Sequence, residues 1–169
     1  MAAPLFPVNT YRHDPYRTFK FQVVIDGKVV AGLKKMGALK KKTTPVKWRA
    51  SNDPSHERVM PGGTSYDPVT LEQGLTHDPV FENWANLVNS IQGDAGMSLK
   101  NYRKDIIINV LNLQGQVAIS YKLFRAWVSD YQALPDLDAG TMSTIGIQTI
   151  TLQHEGWERD TGVAEPAES

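Results

Sequence analysis

Only one stretch of this chain carries apolar residues at helical spacing, and almost everything regular around it reads as strand. In that stretch Phe81, Trp84, Leu87, Val88 and Ile91 fall on one side of a helix, while Glu82, Asn83, Asn86 and Asn89 occupy its other faces. Asp78 is the expected N-cap, Pro79 suits the first helical position, and Gly93 is placed to end the run. The spacing predicts a helix over about 78–92. Its apolar stripe is read as core contact, not as part of a cofactor site.

The strands announce themselves by period. In "RTFKFQVVI", residues 17–25, Phe19, Phe21, Val23 and Ile25 alternate with Lys20 and Gln22. The Asp-Gly that follows at 26–27 favours a tight turn, because glycine accepts a positive φ at little cost, so 17–25 is expected to pair with 29–39. "PVTLEQGL" at 68–75 reads as a short strand. Residues 105–113 and 117–128 flank "QGQ" as a second hairpin rich in β-branched and aromatic residues, and 144–154 is the last strand. Residues 134–140, "LPDLDAG", form a turn-rich link, and the acidic end after Trp157 reads as disordered. The outline is a mainly antiparallel β chain with one helix.

Between Gly37 and Pro68 the pattern breaks. Lysines, three prolines before Tyr66 and no sustained apolar period describe a long excursion, read as two strand-like arms and a mobile tip. Loops of this length within a compact domain are usually functional or disordered.

Charge singles out the same region. Residues 28–58 hold nine Lys or Arg against two acids, Asp53 and Glu57, a balance of +7; the rest holds nine against sixteen, a balance of −7. A molecule polarised in this way attracts its own kind head to tail, and such a heterologous contact repeats into a ring or an open stack. The absence of cysteine excludes a disulfide framework and a thiolate nucleophile. The first nineteen residues lack the basic start and apolar run of a secretory signal, and no run approaches the ~20 apolar residues of a membrane helix. A soluble protein made in the cytoplasm is expected.

Motifs of chemistry are lacking. The four histidines, at 13, 56, 77 and 154, have no metal-ligand spacing. "DLDAGT" at 136–141 resembles the start of a calcium loop, but its glycine comes one position early and the second pair of oxygen ligands is missing. There is no phosphate loop, dinucleotide fingerprint or nucleophile elbow, and the glycines of "MPGGTSYDP" are read as turn residues. The carboxylate pairs Asp136/Asp138 and Glu155/Glu158 read as surface charge. No catalytic, metal or cofactor residue is assigned, and no cofactor is expected. A nucleic-acid-binding β-barrel using the basic 33–49 segment, with Trp48 among its lysines, is the alternative, and a small hydrolase a third reading.

The order of four pieces is informative: "DPYRTFKFQVVIDG" at 14–27, "VAGLKKMGAL" at 30–39, "MPGGTSYDPVTLEQGLTHDPVFENW" at 60–84, and "PDLDA" followed by "IQTITLQHEGWER". Together they resemble the tail tube proteins of contractile-tailed phages and contractile injection systems. Residues 1–13 and 160–169, read as an N-terminal extension and a flexible tail of a single 1–169 domain, lie outside that match.

The resemblance implies an antiparallel β-barrel or sandwich with one packed helix (about 78–92) and a long extended hairpin arm (about 37–66). It implies a non-enzymatic building block: six copies close into a ring, rings stack into a hollow tube, and DNA or an effector passes through after a sheath contracts. Partners would be further copies of the chain, the sheath protein, and baseplate or spike and terminator proteins, with cargo held without specific contacts. The setting would be a virion tail or an injection particle, with release outside the cell as a further outcome; the secretion-system branch fits less well. By this analogy Lys40, Lys41, Lys42, Lys47, Trp48 and Arg49 meet a neighbouring subunit or ring, where carboxylates receive the cations. Lys20, Gln22, Ser120 and Lys122 are the candidates for facing the lumen.

Overall fold

A computed structural model describes residues 4–169 of the chain. Its strands are β1 (Phe21–Ile25), β2 (Lys28–Val29), β3 (Leu33–Met36), β4 (Lys41–Trp48), β5 (Arg58–Tyr66), β6 (Val69–Gly74), β7 (Lys104–Leu111), β8 (Val117–Gln132), β9 (Ile147–Gln153) and β10 (Trp157–Arg159). One helix, α1 (Val80–Val88), and a single 3-10 turn at Asp94–Gly96 complete the regular structure. All pairings are antiparallel: the main sheet runs β2-β1-β7-β8-β9-β6-β3, with β10 added alongside β8, and β4-β5 form a separate two-stranded sheet.

The main sheet wraps one core. Strand alternation sends every second side chain inward, so Val23 and Ile25 of β1, Ile106 and Ile108 of β7, Val69 and Leu71 of β6, and Ile150 and Leu152 of β9 meet in one buried cluster with Phe81 and Trp84 of α1. β8 belongs to both halves of this wrap. Its first part pairs with β7 and β10, and its last part with β9. Between them Arg125 takes a positive φ of 51° and donates its backbone N–H to Asp105 Oδ1 at 3.0 Å, which turns the strand at the corner.

The hairpin around Gly115 forms as expected, with Val110 opposite Ile119 and Leu111 opposite Val117. Asn112 shapes its turn by accepting hydrogen bonds from Gln114 N and Gln116 N at its own Oδ1. The first expected hairpin is different. Pairing between β1 and β2 covers only Val24 with Val29 and Ile25 with Lys28, continued by Val30 N to Val23 O. Gly32 then adopts φ 69°, and β3 crosses to pair with β6 while β1 pairs with β7. A buried amide pair supplies the reason. Gln73 and Gln148 stand opposite each other; Gln148 Nε2 donates to Gln73 Oε1 at 2.7 Å, and Gln73 Nε2 donates to the Ala31 carbonyl at 2.5 Å. Left unbonded, these buried groups would each cost ~1–3 kcal/mol, so they hold the crossover in place.

The helix is shorter than its periodicity predicts. The expected start moves by one residue: Pro79 takes the N-cap position, Val80 is the first helical residue and no side-chain cap bond forms, while Asp78 Oδ1 accepts from Val80 N at 3.2 Å just ahead of the helix. At the other end Ser98 N takes the Leu87 carbonyl that Ile91 N would need, Asn89 is extended, and Ile91 is fully exposed instead of completing the stripe. Two further boundaries move: β8 runs on to Gln132, and the last major strand starts at Ile147 instead of 144.

The two ends of the described chain meet. Glu165 accepts from Val8 N and Asn9 N, Arg12 pairs with Glu168 at 2.5 Å, and the Arg12 guanidinium sits 4.9 and 4.4 Å from the ring centres of Phe6 and Tyr16. Residues 160–169, read from sequence as a flexible tail, therefore lie against the N-terminal segment.

Candidate inter-subunit surface

The arm starts at Lys41, four residues later than expected. Residues 37–40 still lie beside the body, with Gly37 N donating to Thr70 O at 2.7 Å. From Lys41 to Ser65 every residue of the two arm strands is exposed. At its base, Lys40 O accepts from Asp67 N at 3.3 Å and from Trp157 Nε1 at 3.4 Å, and His154 Nε2 donates to Asp67 O at 2.9 Å. Tyr66 and Trp157 meet edge to face at 6.2 Å, and Trp157 meets Tyr121 at 5.8 Å. Joined to the body through this aromatic cluster, the arm projects as an outlier.

Register assigns its faces. Val46 stands opposite Met60 and Trp48 opposite Arg58, so these four share one side, while Lys47 and Val59 share the other. Val46, Trp48 and Met60 are each 43% exposed and form an apolar stripe. The Arg58 guanidinium lies 5.3 Å from the Trp48 ring centre. Pro45 faces Pro61 across the pair, which a two-stranded sheet tolerates because each strand has an outward edge that needs no ladder bond. Next to them the register shifts at Gly62, where a Cβ would come within 2.8 Å of Thr44 O and 2.9 Å of Val46 Cγ2.

The tip, expected to be mobile, is organised around Asp53. Its carboxylate accepts from Ala50 N at 2.9 Å and takes both Arg58 Nε (3.0 Å) and Arg58 Nη2 (2.6 Å), while Arg49 Nη1 donates to the carbonyls of Asp53 and Pro54. The Arg58 bonds, aided by the Ala50 amide, hold the Asp53 carboxyl below its ordinary range against an opposing desolvation. A lowered folded value means that the stabilisation is complete above the unfolded aspartate pKa of about 4 and is lost as pH falls through the folded value. An NMR titration should therefore place the Asp53 midpoint below that of a peptide spanning the tip. Asp53→Asn should remove the pH dependence of tip protection; equal midpoints in protein and peptide would refute the account.

The six sequence-predicted contact residues thus share the arm but not a face. Lys40 is at its root, Lys41, Lys42 and Lys47 are exposed along it, and Arg49 braces the tip, leaving Trp48 on the apolar stripe. Sequence reasoning missed Val46, Val59, Met60 and the Asp53–Arg58 pair. The alternation in "PVKW" and "RVM" was the available signal, masked by prolines.

The four lumen candidates fall in one region. Gln22, Ser120 and Lys122 lie on the sheet face opposite Val23 and Leu123, in rows running Gln22–Asn109–Ser120 and Val24–Ile107–Lys122, and Lys20 precedes β1 by one residue. Lys20 Nζ donates to Leu113 O at 2.7 Å, and Lys122 Nζ is 3.6 Å from Asp105 Oδ2. Ser120 is different: it is 3% exposed, donates to Asn109 Oδ1 at 2.9 Å, and its carbonyl accepts from Asp160 N at 2.8 Å where the chain continues the β10 pairing. Among the described residues no three His, Asp or Glu side chains gather to hold a metal ion, and no helix is long and apolar enough to cross a membrane.

Known proteins share this architecture. A chain in the cryo-EM structure of the anti-feeding prophage cap, its tube-terminating cap, matches with a TM-score of 0.73 and 23% identity, over 89% of this chain and 93% of that one. A chain in the extended sheath–tube complex of the extracellular contractile injection system PVC matches with a TM-score of 0.71 and 20% identity, over 86% and 91%. The extended sheath/tube terminator of the same system gives 0.73 and 19%, over 88% and 99%. At these identities the likeness is one of fold. No curated protein sequence matches the chain significantly. The family model for the T4-like virus tail tube protein gp19 does match, over residues 17–158, and on that match the chain belongs to the T4-like virus tail tube protein family.

Proposed function

We propose that this tail tube protein closes into six-membered rings that stack as the hollow inner tube of a contractile tail or injection particle. A surrounding sheath drives the tube forward, baseplate and terminator proteins close its ends, and DNA or a protein effector passes along the bore. The chain works by assembly, with no bond made or broken. Lys40, Lys41, Lys42, Lys47, Trp48 and Arg49 contribute to contacts between copies, and the face bearing Gln22 and Lys122 looks into the bore.

One observation carries this reading. The arm is a two-stranded sheet that stands off the body with Val46, Trp48, Val59 and Met60 all exposed. A lone hairpin is marginal in water, and an exposed apolar surface rimmed by charge marks an interaction site. Its lysines speed encounter and set register, whereas apolar burial holds the contact, because exposed ion pairs contribute only ~0.2–1 kcal/mol each and weaken with salt.

Reversing Lys40, Lys41 and Lys42 to Glu should raise the concentration needed for polymerisation while leaving the melting temperature nearly unchanged. Negative-stain microscopy and a thermal melt read the two effects separately. Normal tubes from this variant at physiological salt would refute the charge argument. A wild-type protein that stays monomeric and binds DNA in a salt-sensitive way would overturn the tube reading itself.

A further inference from the structure

The arm leaves the body at one end of a strand pair whose opposite end carries a second unexplained surface. β6 and β9 run antiparallel from Val69 opposite Leu152, beside the arm's base, to Gly74 opposite Ile147. The two ends are five steps of about 3.4 Å apart. At the far end lies the loop between β8 and β9, which contains the "PDLDA" motif. Leu134, Leu137, Met142 and Ile145 there are 59–98% exposed, and adjoining Leu75 is 42% exposed.

The loop has a defined shape. Leu75 N donates to Gly146 O at 3.0 Å, Asp138 Oδ1 accepts from Gly140 N at 2.9 Å, and Thr141 Oγ1 donates to Asp138 Oδ2 at 3.2 Å. It encloses an open hollow of about 550 Å³ bordered by Pro135, Leu137 and Ile145.

Charge identifies what covers it. Residues 130–146 contain Asp130, Asp136 and Asp138 and no Lys or Arg, whereas residues 40–49 contain Lys40, Lys41, Lys42, Lys47 and Arg49 and no acid. Both surfaces pair apolar side chains with charge of one sign, and the signs are opposite. We infer that the 133–146 loop is the seat for the arm of a second copy of this chain, with the Val46–Trp48–Met60 stripe on Leu137 and Ile145, and Lys42, which alternates onto the same side of β4 as Val46, facing Asp136. This rests on the tube reading and adds the receiving surface and a direction to it. The arm's base and the loop lie at opposite ends of the β6–β9 pair, so donor and acceptor are different surfaces, and the contact is head to tail and repeats without using itself up.

The natural absence of cysteine makes the test direct. In Met60→Cys combined with Leu137→Cys, both at exposed positions, mild oxidation of assembled protein should give a ladder of covalent oligomers on a denaturing gel. Met60→Cys with Leu5→Cys, on the N-terminal segment, should give none. Tubes without a ladder from the first pair, or a ladder from the second, would overturn the seat while leaving the tube reading standing. Failure of the unsubstituted chain to form rings or tubes would instead overturn the tube reading, and the seat with it.

Charge gives an independent readout. Asp136→Lys should lose tubes, and adding Lys42→Glu in the same chain should restore them, which a purely structural defect would not do. Wild-type assembly by Asp136→Lys, or no restoration by the second change, would also refute the seat.

Discussion

Excising residues 42–65 and joining Lys41 to Tyr66 through Asn-Gly should give a folded protein that no longer assembles. The junction is prepared for this: Lys41 and Tyr66 are already cross-strand partners, and Lys40 O accepts from Asp67 N. Asn-Gly is a favoured two-residue connection between such strands. Tyr66 stays in the aromatic cluster with Trp157, so the body loses none of its core. Because every excised residue in a strand is exposed, the melting temperature should move by no more than ~2 °C. Rings and tubes should be absent by negative stain, and sedimentation should show a single small species. Tubes of normal length from the excised protein would remove the arm from any account of assembly.

Trp84→Ala should be the most damaging single substitution in the body. Trp84 is 1% exposed at the contact of α1 with the sheet; its Nε1 donates to Tyr102 O at 2.8 Å, and the Lys104 ammonium sits 5.7 Å from its ring centre. Truncation removes the largest buried side chain and orphans a carbonyl. Losses of about 3–5 kcal/mol accompany such changes in close-packed cores, equivalent here to a fall in melting temperature of roughly 6–20 °C. Trp84→Phe, which restores most of the volume without the N–H, should recover more than half of the loss. A shift below ~3 °C for the alanine variant, followed by circular dichroism, would show that the helix is only loosely docked.

What could be read in advance depended on how local its cause was. The Asn112–Gly115 turn is written in adjacent residues, and the hairpin it makes is legible. So is the core side of α1, because Phe81 and Trp84 fall on one stripe. The exchange of partners by β3 is not: it depends on a hydrogen bond from Gln73 to Ala31, residues separated by more than forty positions, and on an amide pair with Gln148. The end of α1 likewise depends on Ser98 reaching back to Leu87. At the candidate surface, the cations were plain from charge alone. The stripe of Val46, Trp48 and Met60 was hidden, since faces follow from cross-strand register and a shift beside Pro45 and Gly62 resets it. Ser120 alternates correctly with Lys122, yet it is buried and bonded to Asn109 of the neighbouring strand, which no period in its own strand can reveal.

The corner at Arg125 bears on mechanics. A single uninterrupted polypeptide, β8, forms part of both halves of the wrap, with β7 and β10 bonded to one stretch and β9 to the next. Shear between the two halves must therefore strain covalent backbone and cannot be relieved by side chains slipping over one another. In the proposed tube, load passing from one half of a unit to the other would be carried by this internal tie.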